Sequence, residues 1–294
     1  MSIFKGAATA LITPFIDDMI DFDSLGKLID CQIESGISAL IINGTTGEPT
    51  TMTHDERTDV AKFSIERVNK RIPVVLGAGS NNTFTAVEYA VEAQELGADA
   101  VLAVTPYYNK STQTGLVEHY KAIAKSITLP VILYNVPGRT GVNLLPSTIA
   151  KLMEVDNIAA VKEASGSVTQ MMEIYRLCGE RIDLYSGDDA LVYPCLAVGG
   201  KGVISVASNI VPKYMADMTE SFFSGDIFKA RDMQLKITEL VDALFCEVNP
   251  IPVKAAAYYM GLISSAYMRL PMTPLEKTEQ VRKALKNFGL TLVH

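Results

Sequence analysis

The strongest constraint on the fold is a repeating pattern in which a short apolar run is followed by a longer segment of helical periodicity. Eight such runs start about 28 residues apart on average, which is about the length of one strand, one helix and two short connections. Their residues are continuously apolar, as in parallel strands that are covered on both faces. The runs are Ala7–Ile12, Ala39–Ile42, Pro73–Leu76, Ala100–Val104, Val131–Tyr134, Ile158–Lys162, Ile182–Tyr185 and Gly202–Val206.

This pattern predicts an α/β protein with the (β/α)8 TIM-barrel architecture. A doubly wound open sheet is the alternative, and the number of units and the lack of a nucleotide-binding glycine fingerprint disfavour it. After residue 224 the strand pattern stops and only helical periodicity continues. We therefore expect a barrel over residues 1–224 and a small helical domain over residues 225–294.

The ends of several helices have recognisable signals. The first helix is predicted to begin at about Asp23, with Asp23 or Ser24 as its cap, and to end at Gly36. The last helix is predicted to begin at Thr273, with a threonine cap followed by proline, and to end at Gly289.

Composition excludes several classes of function. A net charge of −7 and a pI near 5.1 disfavour binding to nucleic acid, which requires clustered Lys and Arg. The four cysteines and three histidines are scattered, which predicts reduced thiols, no metal site and no bound cofactor. No apolar run approaches the length of a membrane span, and the N-terminal residues do not read as a signal peptide. We expect a cytoplasmic protein without a membrane partner.

The residues best suited to chemistry follow the predicted strands. Because the C-terminal ends of barrel strands share one mouth, these side chains are expected to converge there. Lys162 ends the sixth run, and a desolvated amine is the group that attacks a ketone to form a Schiff base. Glu163 should point to the opposite face of its strand, so we do not assign it as a catalytic base. The other candidates are Thr45 and Thr46 in Gly44–Glu48, Tyr108, Tyr134 and Arg139.

Each of these residues also has a purely structural interpretation. Lys162 can lie at a strand end with its ammonium in water. The glycines around Thr45 and Thr46 can form a tight turn, or their backbone N–H groups and the hydroxyls can hold a carboxylate. Tyr134 can be a core tyrosine or a proton shuttle. Arg139 can be a solvated loop residue or can clamp a carboxylate with two hydrogen bonds.

Three of these segments together resemble a known family. Gly44–Glu48, the segment Tyr134–Gly141 and the strand lysine Lys162 are similar to the dihydrodipicolinate synthase / N-acetylneuraminate lyase family of class I aldolases. The resemblance extends over the whole chain, including the helical tail. The Arg139 segment matches the synthase branch of the family, whereas the N-acetylneuraminate lyases and 2-keto-3-deoxy-acid aldolases generally lack that arginine context.

The resemblance implies a lyase that condenses pyruvate with L-aspartate-4-semialdehyde in the diaminopimelate and lysine pathway. It implies that Lys162 forms the pyruvate Schiff base and that Tyr134, Thr45 and Tyr108 form a proton relay. Thr45 and Thr46 would bind the pyruvate carboxylate, and Arg139 would bind the semialdehyde carboxylate and steady Tyr134. Backbone around Gly187 and Ile204 would complete the pocket, and the assembly would be a homotetramer in which Tyr108 reaches a neighbouring subunit.

Two alternatives remain open at this point. One is a related pyruvate-dependent aldolase, either an N-acetylneuraminate lyase or a 2-keto-3-deoxy-acid aldolase. The other is a non-catalytic barrel that binds a 2-oxo acid.

The resemblance also bears on feedback inhibition by lysine. His54, Asn81 and Tyr107 match the effector cleft of the inhibited bacterial enzymes, whereas Pro49, Thr50 and Thr85 depart from it. Thr85 stands where those enzymes place a glutamate for the effector's ammonium, and a lost charge-assisted hydrogen bond costs about 1.5–3 kcal/mol. We therefore expect weak or absent inhibition by lysine.

Overall fold

The computed structural model describes residues 2–294 and contains the eight predicted strands as one closed barrel. The part of the chain that the structure describes contains ten strands, numbered β1 to β10 in chain order: Gly6–Ala10, Phe15–Ile16, Met19–Ile20, Ala39–Ile42, Val74–Gly77, Ala100–Val104, Val131–Asn135, Ile158–Glu163, Asp183–Ser186 and Gly202–Ser205. The barrel order is β1-β10-β9-β8-β7-β6-β5-β4, and β2 and β3 form a separate antiparallel hairpin that the sequence pattern did not predict. The predicted TIM barrel is therefore confirmed, and no strand end is shifted by more than two residues.

Within residues 2–294, twelve α-helices connect or follow these strands. In chain order α1 to α12 are Phe22–Glu34, His54–Val68, Thr83–Glu95, Gln113–Ser126, Pro137–Thr140, Pro146–Leu152, Val168–Cys178, Val192–Ala197, Pro212–Phe223, Ile227–Leu244, Ile251–Tyr259 and Thr278–Phe288. No helix in residues 2–294 is long and apolar enough to cross a membrane.

Side-chain caps define several helix starts. At α2, the Thr53 hydroxyl accepts from the Glu56 amide, and the Glu56 carboxylate accepts from the Thr53 amide. This reciprocal capping box satisfies two amides that have no partner within the helix. The predicted cap of α1 was wrong, because Asp21 rather than Asp23 or Ser24 accepts the hydrogen bond from the Ser24 amide.

The start of the last helix was also placed wrongly from sequence. Helix α12 begins at Thr278, and Lys277 in the cap position makes no side-chain capping bond. The amides of Glu276 and Lys277 instead donate to the carboxylate of Glu247, which lies 29 and 30 positions away in sequence. The Glu247 carboxylate therefore accepts hydrogen bonds from the amides before this helix, a role that the sequence assigned to Thr273. The predicted end at Gly289 is confirmed by its left-handed φ of 94°.

Two compact units make up the chain. One consists of Pro73–Ile204 together with the N-terminal segment up to Gly6, and the other consists of Ala7–Ile72 and Ser205–His294. The first unit contains β5 to β9, which pair as parallel neighbours. In the pairing register Tyr134 lies opposite Lys162, and Lys162 lies opposite Tyr185. The second unit contains the pair β1–β4 and the helices from α9 onward. The domain division at residue 224 stays a prediction.

Candidate active site

Lys162 and Tyr134 form the centre of the candidate site in the first unit. They occupy paired positions on the adjacent strands β8 and β7, and their side chains are only 5% and 6% exposed. The Lys162 Nζ lies 4.2 Å from the centroid of the Tyr134 ring, a distance at which an ammonium is attracted by the face of an aromatic ring. The sequence predicted that Lys162 ends its strand, whereas β8 continues one residue further, to Glu163.

Gly187 makes room for the lysine side chain. It follows β9, and its amide donates to the carbonyl of Glu163 at 2.8 Å. A Cβ atom at this position would lie 3.0 Å from both Cγ and Cε of Lys162 and 2.7 Å from Cβ of Ala164. Such distances are shorter than normal carbon–carbon contacts, so only glycine lets this backbone approach the amine-bearing chain.

The Glu163 side chain is fully buried and lies within a network of polar side chains. Its Oε2 accepts hydrogen bonds from Asn135 Nδ2 at 3.0 Å and Gln170 Nε2 at 2.9 Å, and its Oε1 accepts from the Ser165 amide at 2.7 Å. Asn143 bonds to both Asn135 and Gln170. These three donors occupy the carboxylate, which agrees with the expectation that Glu163 is not a catalytic base.

The network also ties down the segment that carries Arg139. Asn143, which lies just beyond this segment, bonds to Asn135 on β7. The segment itself is not the open loop expected from sequence, because Arg139 lies in the one-turn helix α5, which ends at Gly141 with φ 72°. The Arg139 side chain is exposed.

Two further candidates of the first unit occupy very different environments. Ile204 is 1% exposed in β10. Tyr108 is 91% exposed and has a left-handed φ of 70°. A ring exposed to this extent is not part of the buried surroundings of Lys162 and Tyr134, so the single chain does not bring Tyr108 to them.

Thr45 and Thr46 belong to the second unit, where they follow β4. They form a short 3-10 helix, Thr45–Gly47, which continues through Glu48 into a second one, Pro49–Thr51. Thr46 is buried and Thr45 is half-buried. Glu48, at the junction, has the left-handed backbone angles φ 59° and ψ 37°.

A fully buried ion pair was not foreseen from sequence. Lys254 Nζ of α11 lies 2.6 Å from Glu48 Oε1, and both side chains are 0% exposed. Burial lowers the pKa of Lys254 to about 8, an effect that the Glu48 carboxylate opposes. Burial likewise raises the pKa of Glu48. The available signal was the lone lysine in the otherwise apolar run Ile251–Ala257, the same signal that drew attention to Lys162.

A second contact from the C-terminal residues reaches the threonines directly. The side-chain amide of Asn249 donates to the Thr46 hydroxyl oxygen at 3.0 Å. This contact joins residues 203 positions apart, which no local pattern could have predicted.

The arrangement in the first unit suits carbonyl chemistry. A buried amine can add to a ketone to give an imine, and an adjacent phenol can exchange the protons that this addition and the loss of water require. Among the described residues there is no group of three or more His, Cys, Asp and Glu side chains that could hold a metal ion.

Comparison with known proteins gives consistent results. A sequence model of the dihydrodipicolinate synthetase family matches residues 3–288. The 4-hydroxy-tetrahydrodipicolinate synthase of Geobacter metallireducens is 50% identical over 290 residues, which cover 98% of this chain and 100% of that protein. The enzyme of the same name from Caldicellulosiruptor bescii is 51% identical over 295 residues, covering 99% of each chain. The crystal structure of dihydrodipicolinate synthase from Thermotoga maritima matches with a TM-score of 0.96 and 42% identity, covering 98% of this chain and 100% of that one.

Proposed function

The chain belongs to the dihydrodipicolinate synthetase family, and we propose that it condenses pyruvate with L-aspartate-4-semialdehyde through a Schiff base on Lys162. The observation that carries this proposal is the buried pair of Lys162 and Tyr134, with the amine 4.2 Å from the ring centroid. Relatives that are about half identical over almost the full chain are named as 4-hydroxy-tetrahydrodipicolinate synthases. The product assigned to the chain is therefore 4-hydroxy-tetrahydrodipicolinate, an intermediate on the way to diaminopimelate and lysine.

The first half of the reaction activates pyruvate. The unprotonated Lys162 Nζ attacks the C2 carbonyl, and the resulting carbinolamine loses its oxygen as water to leave the imine. Tyr134 gives the proton that this oxygen needs to depart. Its phenolate then accepts a proton from C3 of the imine, which forms the enamine. We assign the pyruvate carboxylate to Thr45 and Thr46, because hydroxyls and amides at a barrel strand end are suitable donors for an anion.

The second half forms the new carbon–carbon bond. The enamine C3 attacks the aldehyde carbon of the semialdehyde, and the developing alkoxide takes its proton from the relay of Tyr134, Thr45 and Tyr108. The amino group of the adduct then attacks C2, closes the ring and releases the Lys162 amine. Arg139 is assigned to the semialdehyde carboxylate, since a guanidinium binds a carboxylate through two parallel hydrogen bonds. The backbone around Gly187 and Ile204 is assigned to the pocket wall.

We also propose that the chain assembles as a homotetramer in which Tyr108 acts at the site of a neighbouring subunit. The 91% exposure of its side chain supports this assignment, because a relay residue must be covered in the working enzyme. Light scattering at several protein concentrations tests the assembly. Since pyruvate and aspartate semialdehyde are metabolic intermediates, we place the activity in the cytoplasm.

Borohydride reduction tests the Schiff base directly. Treatment with pyruvate should add one reduced pyruvate to the protein, and peptide mapping should locate it on Lys162. The variant Lys162→Ala should show no adduct and no turnover. A pyruvate-treated wild-type protein that gains no mass would refute the mechanism.

A comparison of substrates separates the synthase from the two alternative activities. The chain should turn over aspartate semialdehyde, and not N-acetylneuraminate or 2-keto-3-deoxygluconate. Arg139→Ala should raise the KM for the semialdehyde while the pyruvate adduct still forms. Full synthase activity in that variant would contradict the assignment of Arg139. A wild-type protein that binds pyruvate without turnover would identify a binding protein instead.

A further inference from the structure

The ion pair between Glu48 and Lys254 is an unusual feature of the second unit. Both side chains are fully buried, and the pair joins residues 206 positions apart. Charges are costly to bury, and a buried ion pair often stabilises a protein no more than apolar residues of similar volume. Stability is therefore a weak reason for placing two charges here, and the surroundings of the pair suggest another.

The pair acts on a strained point of the backbone. Glu48 has a left-handed conformation, with φ 59°, which costs a residue with a side chain about 1–2 kcal/mol. Strained backbone of this kind persists where the surrounding contacts determine it, and it is common at functional sites. Because Lys254 holds the Glu48 carboxylate, it fixes the junction between the helix Thr45–Gly47 and the helix Pro49–Thr51.

Other contacts hold the same segment from both ends. The Thr13 hydroxyl donates to the Gly47 carbonyl at 2.8 Å, and Arg269 Nη1 donates to the Thr51 carbonyl at 3.0 Å. Lys254 and Arg269 also lie over the buried ring of Phe15, with Lys254 Nζ 4.2 Å and Arg269 Cζ 4.6 Å from the ring centroid. Residues 46–51 are therefore held in place by hydrogen bonds and an ion pair to side chains from distant parts of the sequence.

The contact from Asn249 decides how Thr46 can bind a ligand. A hydroxyl has one hydrogen to donate and two lone pairs that accept. Since Asn249 Nδ2 donates into the Thr46 oxygen, the hydroxyl hydrogen remains available for an acceptor elsewhere. A carboxylate is an acceptor only, so Thr46 is prepared in the state that a carboxylate requires.

We propose that Lys254, Glu48 and Asn249 are positioning residues for pyruvate, which hold Thr45 and Thr46 in the geometry that binds its carboxylate. None of the three is assigned a contact with the substrate, and each acts through the threonine segment. The C-terminal helical part of the chain thereby takes part in substrate binding. This inference rests on the proposed function, in which Thr45 and Thr46 bind pyruvate.

The test replaces the ion pair by apolar residues of similar length. The double variant Glu48→Met/Lys254→Met leaves no unpaired charge, so it should remain folded. The pyruvate concentration that gives half-maximal borohydride trapping, and the KM for pyruvate, should each rise about tenfold or more, because small displacements of binding groups have large effects. Because Thr45 is also assigned to the proton relay, kcat at saturating pyruvate should fall too, but by a smaller factor than the KM for pyruvate rises, since Lys162 and Tyr134 are unchanged.

A matched control uses an ion pair on the surface. Lys213 and Asp217 are 73% and 45% exposed and pair at 2.8 Å in α9. The double variant Lys213→Met/Asp217→Met should keep the wild-type half-saturation for pyruvate. The single variant Asn249→Ala removes the side-chain hydrogen bond to Thr46 and leaves the ion pair in place, and it should also raise the half-saturation.

The outcomes separate the inference from the function on which it rests. A folded Glu48→Met/Lys254→Met variant with wild-type half-saturation would overturn the positioning role. If that variant does not fold, a folded Asn249→Ala variant with unchanged half-saturation overturns the role, and a raised one supports it. Failure of the wild-type protein to form any pyruvate adduct would instead refute the proposed function.

Discussion

Replacing Gly187 by alanine should disturb Lys162 without removing any functional group. The added Cβ would lie 2.7 Å from Ala164 Cβ and 3.0 Å from Cγ and Cε of Lys162. Normal contacts between carbon atoms are about 3.5–4.0 Å. Either the backbone or the lysine side chain must therefore move by about 0.5–1 Å. The Ala164 methyl cannot rotate away, so we expect much of the displacement to fall on the lysine.

The size of the effect follows from two costs. Overpacking a tight site costs about 1–3 kcal/mol of folding free energy, which lowers Tm by roughly 2–10 °C in a chain of this size. A displacement of about 1 Å in a reacting group can slow a reaction by about a hundredfold. We expect the rate of imine formation to fall between tenfold and a hundredfold, while the protein remains folded.

The assay is single-turnover borohydride trapping with saturating pyruvate, together with thermal unfolding of the same samples. Gly26→Ala is a suitable control, since a Cβ there would lie 3.3 Å from the ring of Phe63 and 3.7 Å from the side chain of Arg67, neither of which is assigned to the reaction. Alanine also favours the helix that contains Gly26 by about 1 kcal/mol, which should offset the close contact. Wild-type imine formation in a folded Gly187→Ala variant would show that Lys162 does not depend on this contact.

Three further predictions concern other parts of the chain. His119 is 4% exposed, and burial lowers its pKa from 6.5 to about 4. As the pH is lowered, its imidazole therefore takes up a proton in the unfolded chain before it does so in the native one. The contribution of His119 to the free energy of unfolding should be fully present above pH 6.5 and should fall by up to about 3 kcal/mol between pH 6.5 and 4. Urea unfolding at several pH values should show that His119→Asn loses this part of the pH dependence. Glu163→Gln should lower stability by about 1–3 kcal/mol, because the new amide must face one of three hydrogen-bond donors; an unchanged urea midpoint would contradict this network. Lysine should inhibit turnover weakly or not at all, because Thr85 has no carboxylate with which to pair an ammonium group; half-maximal inhibition at micromolar lysine would contradict this.

The amino-acid sequence alone determined the architecture and the centre of the candidate site. Apolar runs and helical periodicity are local patterns, and eight repeats of them are compatible with few folds. The same patterns placed Lys162 and Tyr134 at strand ends, and strand alternation placed Glu163 on the opposite face. The glycine end of α12 was an equally local signal, and it agrees with the structure.

The tertiary structure decided the features that depend on residues far apart in the chain. Glu247 replaces Thr273 as the acceptor at the start of α12, and Lys254 reaches Glu48 across 206 positions. The sequence shows a lone lysine in an apolar run, but it does not show which carboxylate meets it. Helix propensity and hydrophobic period describe neighbours along the chain, whereas a buried charge is stabilised by whichever groups folding brings within hydrogen-bonding distance.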